Sequence, residues 1–177
     1  GFANPVIAKA LRAAGARVIA CDPSITSEGT EEDIEVVAWS DPAAMVAKAT
    51  EKFGARLDAI VISSAMPAPR TPVETLTVEV LMPYFRRPAA ESLVFAGAAA
   101  KAMRPNKSGR IVFGSSSGPI GGIPGFSPYA AARSAVNGAV RTLALELAAG
   151  GISVNAVAAN FIPTETYYPK ALLNGPV

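Results

Sequence analysis

Apolar residues recur at Ile7, Ala10, Leu11 and Ala14, three and four positions apart, and Gly15 follows them. That spacing predicts a helix starting near Pro5, closed by a glycine free to take the left-handed conformation of a C-terminal cap. Residues 16–22 change period. Val18, Ile19, Ala20 and Cys21 run unbroken into Asp22, the signature of a short buried strand with an acidic end. The same exchange of patterns repeats along the chain. Asp41 and Pro42 open an Ala-rich helical stretch over 41–53, and residues 57–63 read as a strand. A Pro-rich loop over 66–72 leads into a helical region that reaches Met103, interrupted near Pro83 and Pro88. A strand over 110–114, a long helix over 128–149 and a strand over 152–158 complete the series. Strands that alternate with helices and read as nearly continuous apolar runs imply a parallel sheet covered by helices, so the expected class is doubly wound α/β.

Half of the 177 residues are apolar, enough for one sizeable core, and a single domain over 1–177 is expected. Sixteen basic against fourteen acidic residues leave a charge of +2 with no basic cluster, which argues against nucleic acid and anionic membrane as partners. Apolar stretches such as 93–100 end well short of the roughly 18–20 residues of a membrane span, and no signal-peptide pattern opens the chain. The single cysteine, Cys21, cannot form an internal disulfide, so a cytoplasmic protein is expected. The chain has no histidine. That excludes Ser-His-Asp and Cys-His machinery and removes the commonest metal ligand, and no metal site is expected. Because the chain opens without an initiator Met and without a strand ahead of its first helix, a domain lacking its first strand is expected.

Chemistry concentrates in Ser115-Ser116-Ser117 and, beyond a Gly/Pro-rich loop, Ser127-Pro128-Tyr129-Ala130-Ala131-Ala132-Arg133. In a doubly wound sheet functional groups gather at the carboxyl ends of strands, and Ser116 lies just there. Tyr129 and Arg133 are four apart near the start of the long helix, hence on one face of it. A cation beside a phenol favours the phenolate, and a guanidinium supplies that field permanently, so Tyr129 is a candidate base. The same spacing also fits a plain surface pair on a helix.

The spacing Ser116-x12-Tyr129-x3-Arg133, the stretch Ser108-Gly109-Arg110-Ile111-Val112-Phe113-Gly114-Ser115 and Val154-Asn155-Ala156-Val157-Ala158 resemble the short-chain dehydrogenase/reductase fold, and the order of elements upstream fits it too. The resemblance implies a Rossmann-like domain that continues beyond Val177 with a further helix and a closing strand. Three departures separate the chain from that family's reductases. Arg133 stands where the reductases carry the Lys that holds the nicotinamide ribose. Ser63-Ser64-Ala65-Met66 replaces their Asn-Asn-Ala-Gly, and no Asn occurs between Asn4 and Asn106, so their catalytic Asn is missing as well. Ala159-Asn160 replaces the Pro-Gly beside their nicotinamide.

Together these departures resemble the halohydrin dehalogenases, a cofactor-free offshoot of the same fold that uses Ser, Tyr and Arg. Phe2, thirteen residues before Gly15, also occupies the place from which that family aims an aromatic ring into its halide site, although Asn4 stands where the family usually carries Gly. The resemblance implies that Ser116 hydrogen-bonds the substrate oxygen, Tyr129 takes the hydroxyl proton and Arg133 tunes Tyr129, while the alkoxide closes an epoxide and expels halide. It further implies a halide site at Phe2, Ala159, Asn160 and Phe161, where backbone N–H groups and aromatic edges suit a large anion. Pro119, Ile123, Phe126, Tyr167 and Tyr168 are the expected pocket wall. No cofactor is expected, and the partners are a small halohydrin or epoxide with halide or another small anion. Asp22 ends a strand where NAD-binding relatives place a ribose-binding acid, and is read as a relic or a helix cap. Relatives associate through the helices that correspond to 89–103 and 128–149, so a homotetramer is expected. Two other readings stay open: an NAD(P)-dependent reductase with an unusual Arg, and an inactive scaffold of the same fold.

Overall fold

The computed structural model describes residues 4–38, 40–64 and 68–160, in which helices and short strands alternate. Helix α1 (Asn4–Ala13) is followed by Gly15 at φ 88°, the conformation expected of its cap. Strand β1 (Ile19–Cys21) pairs in parallel with β3 (Ile34–Val37), which in turn pairs antiparallel with β2 (Gly29–Glu31). The β2–β3 hairpin is absent from the sequence-based series of elements. Its two-residue turn holds Glu32 and Asp33, both at positive φ, where a glycine or asparagine would have signalled it. Lys9 and Arg12 of α1 pair with these two acids instead.

Helix α2 (Pro42–Lys52) starts as its sequence predicts, with Asp41 accepting the N–H groups of Ala43 and Ala44 and proline in the first turn. Strand β4 (Ala59–Ile62) follows. Helix α3 (Val78–Phe85), capped by Thr77, then runs through a π-helical turn over Arg86–Glu91 into α4 (Ser92–Met103). The interruption expected near Pro83 and Pro88 is therefore a widened turn, not a break. Pro88 has no N–H to give the turn before it, and one extra residue per turn accommodates its ring without ending the helix.

Strand β5 (Gly109–Ser116), the short helix α5 (Gly118–Gly121), the long helix α6 (Ser127–Ala148) and β6 (Ile152–Ala159) complete the described chain. β4, β5 and β6 form an all-parallel sheet in that order, in register from Gly109↔Ile152 to Ser116↔Ala159. Because this order advances in one direction, right-handed crossovers place α4 and α6 on the same face. That face is the core: Phe113, Met103, Ile111 and Ile152 are fully buried, and Ala96 and Ala99 of α4 have no exposed surface. Small side chains there let the helix backbone approach the sheet closely. On the opposite face Arg110, Ser153, Asn155 and Val157 are exposed. The edge strands β1 and β4 of the two sheets border a crevice of about 670 Å³. The fold is α/β, Rossmann-like and a single domain, and no described helix is long and apolar enough to cross a membrane.

Gly151 closes the turn between α6 and β6 at φ 70°, where a Cβ would sit 2.1 Å from the Lys107 carbonyl oxygen. Gly151→Ala is expected to destabilise the protein by at least about 2 kcal/mol. Gly138 of α6 has nothing within 4 Å of its added Cβ, and Gly138→Ala is expected to stabilise by up to about 1 kcal/mol through helix propensity. Chemical-denaturation midpoints of the two variants check this opposite pair of signs.

Candidate active site

Three elements converge at the carboxyl ends of β4 and β5. Arg133, in the second turn of α6, is 7% exposed, and its guanidinium donates to the Gly114 carbonyl at 3.1 Å and to the Ser64 carbonyl at 2.7 Å. One planar cation thus ties the ends of two neighbouring strands. Gly114 makes this possible, since a Cβ there would lie 2.9 Å from Ser63 Oγ and push the strand ends apart. Among the described residues no carboxylate pairs with Arg133, and the dipoles of the two carbonyls help offset its charge. Its Cζ lies 5.3 Å from the centre of the Tyr129 ring, within reach of a cation–π contact. The helical spacing therefore does bring Tyr129 and Arg133 together, and Arg133 is no surface group.

Ser116 is the last residue of β5 and is buried. Its Oγ accepts the Gly118 N–H at 3.0 Å, which occupies a lone pair and leaves the hydroxyl proton to donate elsewhere. A Cβ at Gly118 would lie 3.2 Å from that oxygen and 3.6 Å from Ile123 Cδ1, so the serine hydroxyl and Ile123 both lie close to Gly118. Ala159 is the ladder partner of Ser116, and its carbonyl accepts the Ser117 N–H at 3.1 Å. Asn160 follows as an exposed bend. Pro119 lies half-buried in α5, and Phe126, also half-buried, carries the Arg70 guanidinium 5.6 Å above its ring. Ala159, Pro119 and Ile123 are thus near Ser116, whereas Phe126 packs towards the 68–72 loop through Arg70 and the bond from Thr71 N–H to the Gly125 carbonyl. Phe2, Phe161, Tyr167 and Tyr168 lie outside the described residues.

Two participants escaped the sequence reading. Asn137, one turn beyond Arg133, accepts from Ser115 Oγ at 2.6 Å and donates to the Ser116 carbonyl at 3.3 Å. Its signal was the continued spacing of four from Tyr129 through Arg133. Ser64 offers its carbonyl to Arg133 while its Oγ lies 3.2 Å from the buried Ser92 Oγ, which also donates to the Arg87 carbonyl. Asp22 accepts Ser24 N–H at 3.0 Å and Ser24 Oγ at 2.6 Å, closing a turn; the next element is strand β2, so Asp22 caps no helix and that expectation fails. The large crevice beside β1 and β4 is lined by Ser63 and Ser64 but not by Ser116, Tyr129 or Arg133. No cluster of three or more His, Cys, Asp or Glu suited to a metal occurs among the described residues.

The profile of the family described as Enoyl-(Acyl carrier protein) reductase matches residues 5–171, nearly the whole sequence. The chain belongs to the short-chain dehydrogenase/reductase superfamily. Within this superfamily its relatives divide. A levodione reductase of Leifsonia aquatica is 32% identical over 163 residues, covering 90% of this chain and 58% of that protein. A solved structure described as a dehalogenation enzyme is 36% identical, with a TM-score of 0.85 over 94% of this chain and 70% of that one. A halohydrin dehalogenase bound to ethyl (2S)-oxiran-2-ylacetate is 25% identical, with a TM-score of 0.74 over 81% of this chain and 59% of that one. The chain spans less than two thirds of the length of the curated relatives it matches.

A nicotinamide dinucleotide is the cofactor the superfamily implies. At the position of the ribose-anchoring Lys, Arg133 spends one N–H of each terminal nitrogen on a main-chain carbonyl and keeps its other donors, and Asp22 accepts Ser24 through Oδ1.

Burial, reinforced by the charge of Asp22, pushes the Cys21 thiol up from 9.0 to about 11. The neutral thiol is thus favoured by folding, a contribution fully present below pH 9 and lost as pH rises towards 11. Alkylation of Cys21 at pH 8 is expected to run on the order of a hundredfold slower than that of an unfolded control, from thiolate population alone. The melting temperature is expected to fall between pH 9 and 11, less steeply in Cys21→Ala.

Proposed function

We propose that this protein converts vicinal halohydrins into epoxides and halide, and in reverse opens epoxides with small anions, through Ser116, Tyr129 and Arg133. One observation carries the reading: a buried guanidinium, unpaired with any carboxylate among the described residues, lies beside a phenol with its two terminal nitrogens fixed by the carbonyls of Gly114 and Ser64. Two of its five N–H donors are spent on main-chain carbonyls, which fixes the plane of the cation beside the ring. It can stabilise a neighbouring anion at every pH the protein survives, since a guanidinium does not deprotonate.

In the proposed reaction each group has one role. The Ser116 hydroxyl, oriented by Gly118, donates to the substrate oxygen. Tyr129, acting as general base, takes that oxygen's proton, and the alkoxide attacks the neighbouring carbon from the side opposite the carbon–halogen bond. As the new C–O bond forms, the halogen leaves with its electron pair, and the proton stays on Tyr129 until solvent removes it. Holding nucleophile and leaving group in line supplies much of the acceleration. Ala159 and Asn160 stand beside Ser116 and, with Phe2 and Phe161, are the residues to hold the halide.

The second reading, an NAD(P)-dependent reductase, is favoured by the matched family profile and by the levodione reductase relative. It requires nucleotide binding, which the first does not. With a small vicinal bromoalcohol and no nucleotide, the proposal expects halide release. Tyr129→Phe should lower the rate by about 10²- to 10⁴-fold with the fold intact. Arg133→Lys should lower it by about tenfold or more, because an ammonium cannot span two carbonyls as a planar fork does. Protein that releases no halide but consumes NADPH with a small diketone would instead establish the reductase.

The proposal includes a homotetramer built through α4 and α6, supported by the exposure of Leu93 and Val94 on α4 and of Leu145, 82% exposed, on α6. Light scattering coupled to gel filtration at micromolar concentration should give four times the chain mass, and monomer would refute it.

A further inference from the structure

Successive turns of α6 place Tyr129, Arg133 and Asn137 on one face of the helix. Asn137 is half-buried, and both ends of its amide are in use. The Ser116 carbonyl can only accept, so it must face the amide nitrogen, and Ser115 Oγ then donates to the amide oxygen. A single planar group thus holds the side chain of Ser115 and the main chain of Ser116.

We propose that Asn137 is a positioning residue that fixes the Ser116 hydroxyl relative to Tyr129. The inference rests on the reading of Ser116 as the donor to the substrate oxygen. Ser116 ends its ladder opposite Ala159, so no further strand pairing braces it. Three contacts do so instead. Asn137 holds its carbonyl from α6, Ser117 N–H anchors the next peptide to the Ala159 carbonyl, and Gly118 N–H turns its Oγ. Only the first comes from the helix that also carries Tyr129. It ties Ser116 itself to that helix, as Arg133 ties Gly114 two residues earlier, whereas the other two hold Ser116 to its own sheet and loop. Without it a strand end is free to relax, and a displacement of about 1 Å in a reacting group can cost about 10²-fold in rate.

The test uses the intact chain, halide release from a small bromoalcohol, and crystal structures of wild type and variants. Asn137→Ala is expected to lower kcat 10- to 100-fold with KM changed less than threefold. Asn137→Asp keeps the acceptor for Ser115 but loses the donor to Ser116, and is expected to behave like Asn137→Ala. Ser115→Ala, which spares the bond to Ser116, should retain at least a third of wild-type kcat. A merely structural residue would lower the melting temperature and leave kcat within twofold, and that result in Asn137→Ala or Asn137→Asp overturns the proposal. If Asn137→Ala fails to fold, the isosteric Asn137→Asp decides. If wild type releases no halide, the proposed function fails and the crystals decide this inference separately. A shift of Ser116 Oγ relative to Tyr129 in Asn137→Asp supports it, and an unmoved Ser116 refutes it.

Discussion

The buried guanidinium of Arg133 is the constraint on which the site depends. Taking a cation out of water is costly, and the protein offsets that cost with two carbonyls from different strands and no counter-charge among the described residues. Three consequences follow from that one group. The carboxyl ends of β4 and β5 are locked together, Gly114 is obliged to have no side chain, and a positive field remains where any anion formed nearby will feel it. Structural clamp and electrostatic source are here the same side chain, so its effect on stability and its effect on chemistry cannot be separated by deletion alone.

Much of the frame was legible because its elements are long or sharply punctuated. α2 opens at Asp41-Pro42, α6 lies within one residue of its expected ends, and β5 and β6 are apolar runs of strand length. What escaped was short or carried a misleading signal. β2 is three residues long and exposed throughout, and its turn uses Glu32 and Asp33 at positive φ, which sequence patterns do not flag. Pro83 and Pro88 were legible as an irregularity, but only the backbone could show that a π-helical turn absorbs it. At the site, the i,i+4 pair of Tyr129 and Arg133 was visible as a spacing. Arg133's hold on Ser64 was not, because that contact joins residues 69 apart in sequence.

The division among relatives has a physical counterpart in the chain. A profile match over 5–171 reports the family as a whole, and reductases and a dehalogenation enzyme alike stand among the proteins this chain resembles. The positions at which the sequence departs from the reductase pattern are few. Arg133, Ser63-Ser64 and Ala159-Asn160 contribute little to overall identity, yet they sit at the carboxyl ends of β4, β5 and β6 where a ligand would bind. Identity over a whole chain is thus a weak guide to chemistry here.

Those positions also interlock. If Arg133 were Lys, its ammonium could reach one carbonyl but would not span two with planar geometry, so the end of β4 would need another tether. If residue 63 or 64 carried a larger side chain, the approach that Gly114 permits would be contested, since Ser63 Oγ already lies within 2.9 Å of where its Cβ would be. The guanidinium, the two small serines and the glycine therefore form one solution to bringing two strand ends together around a charge.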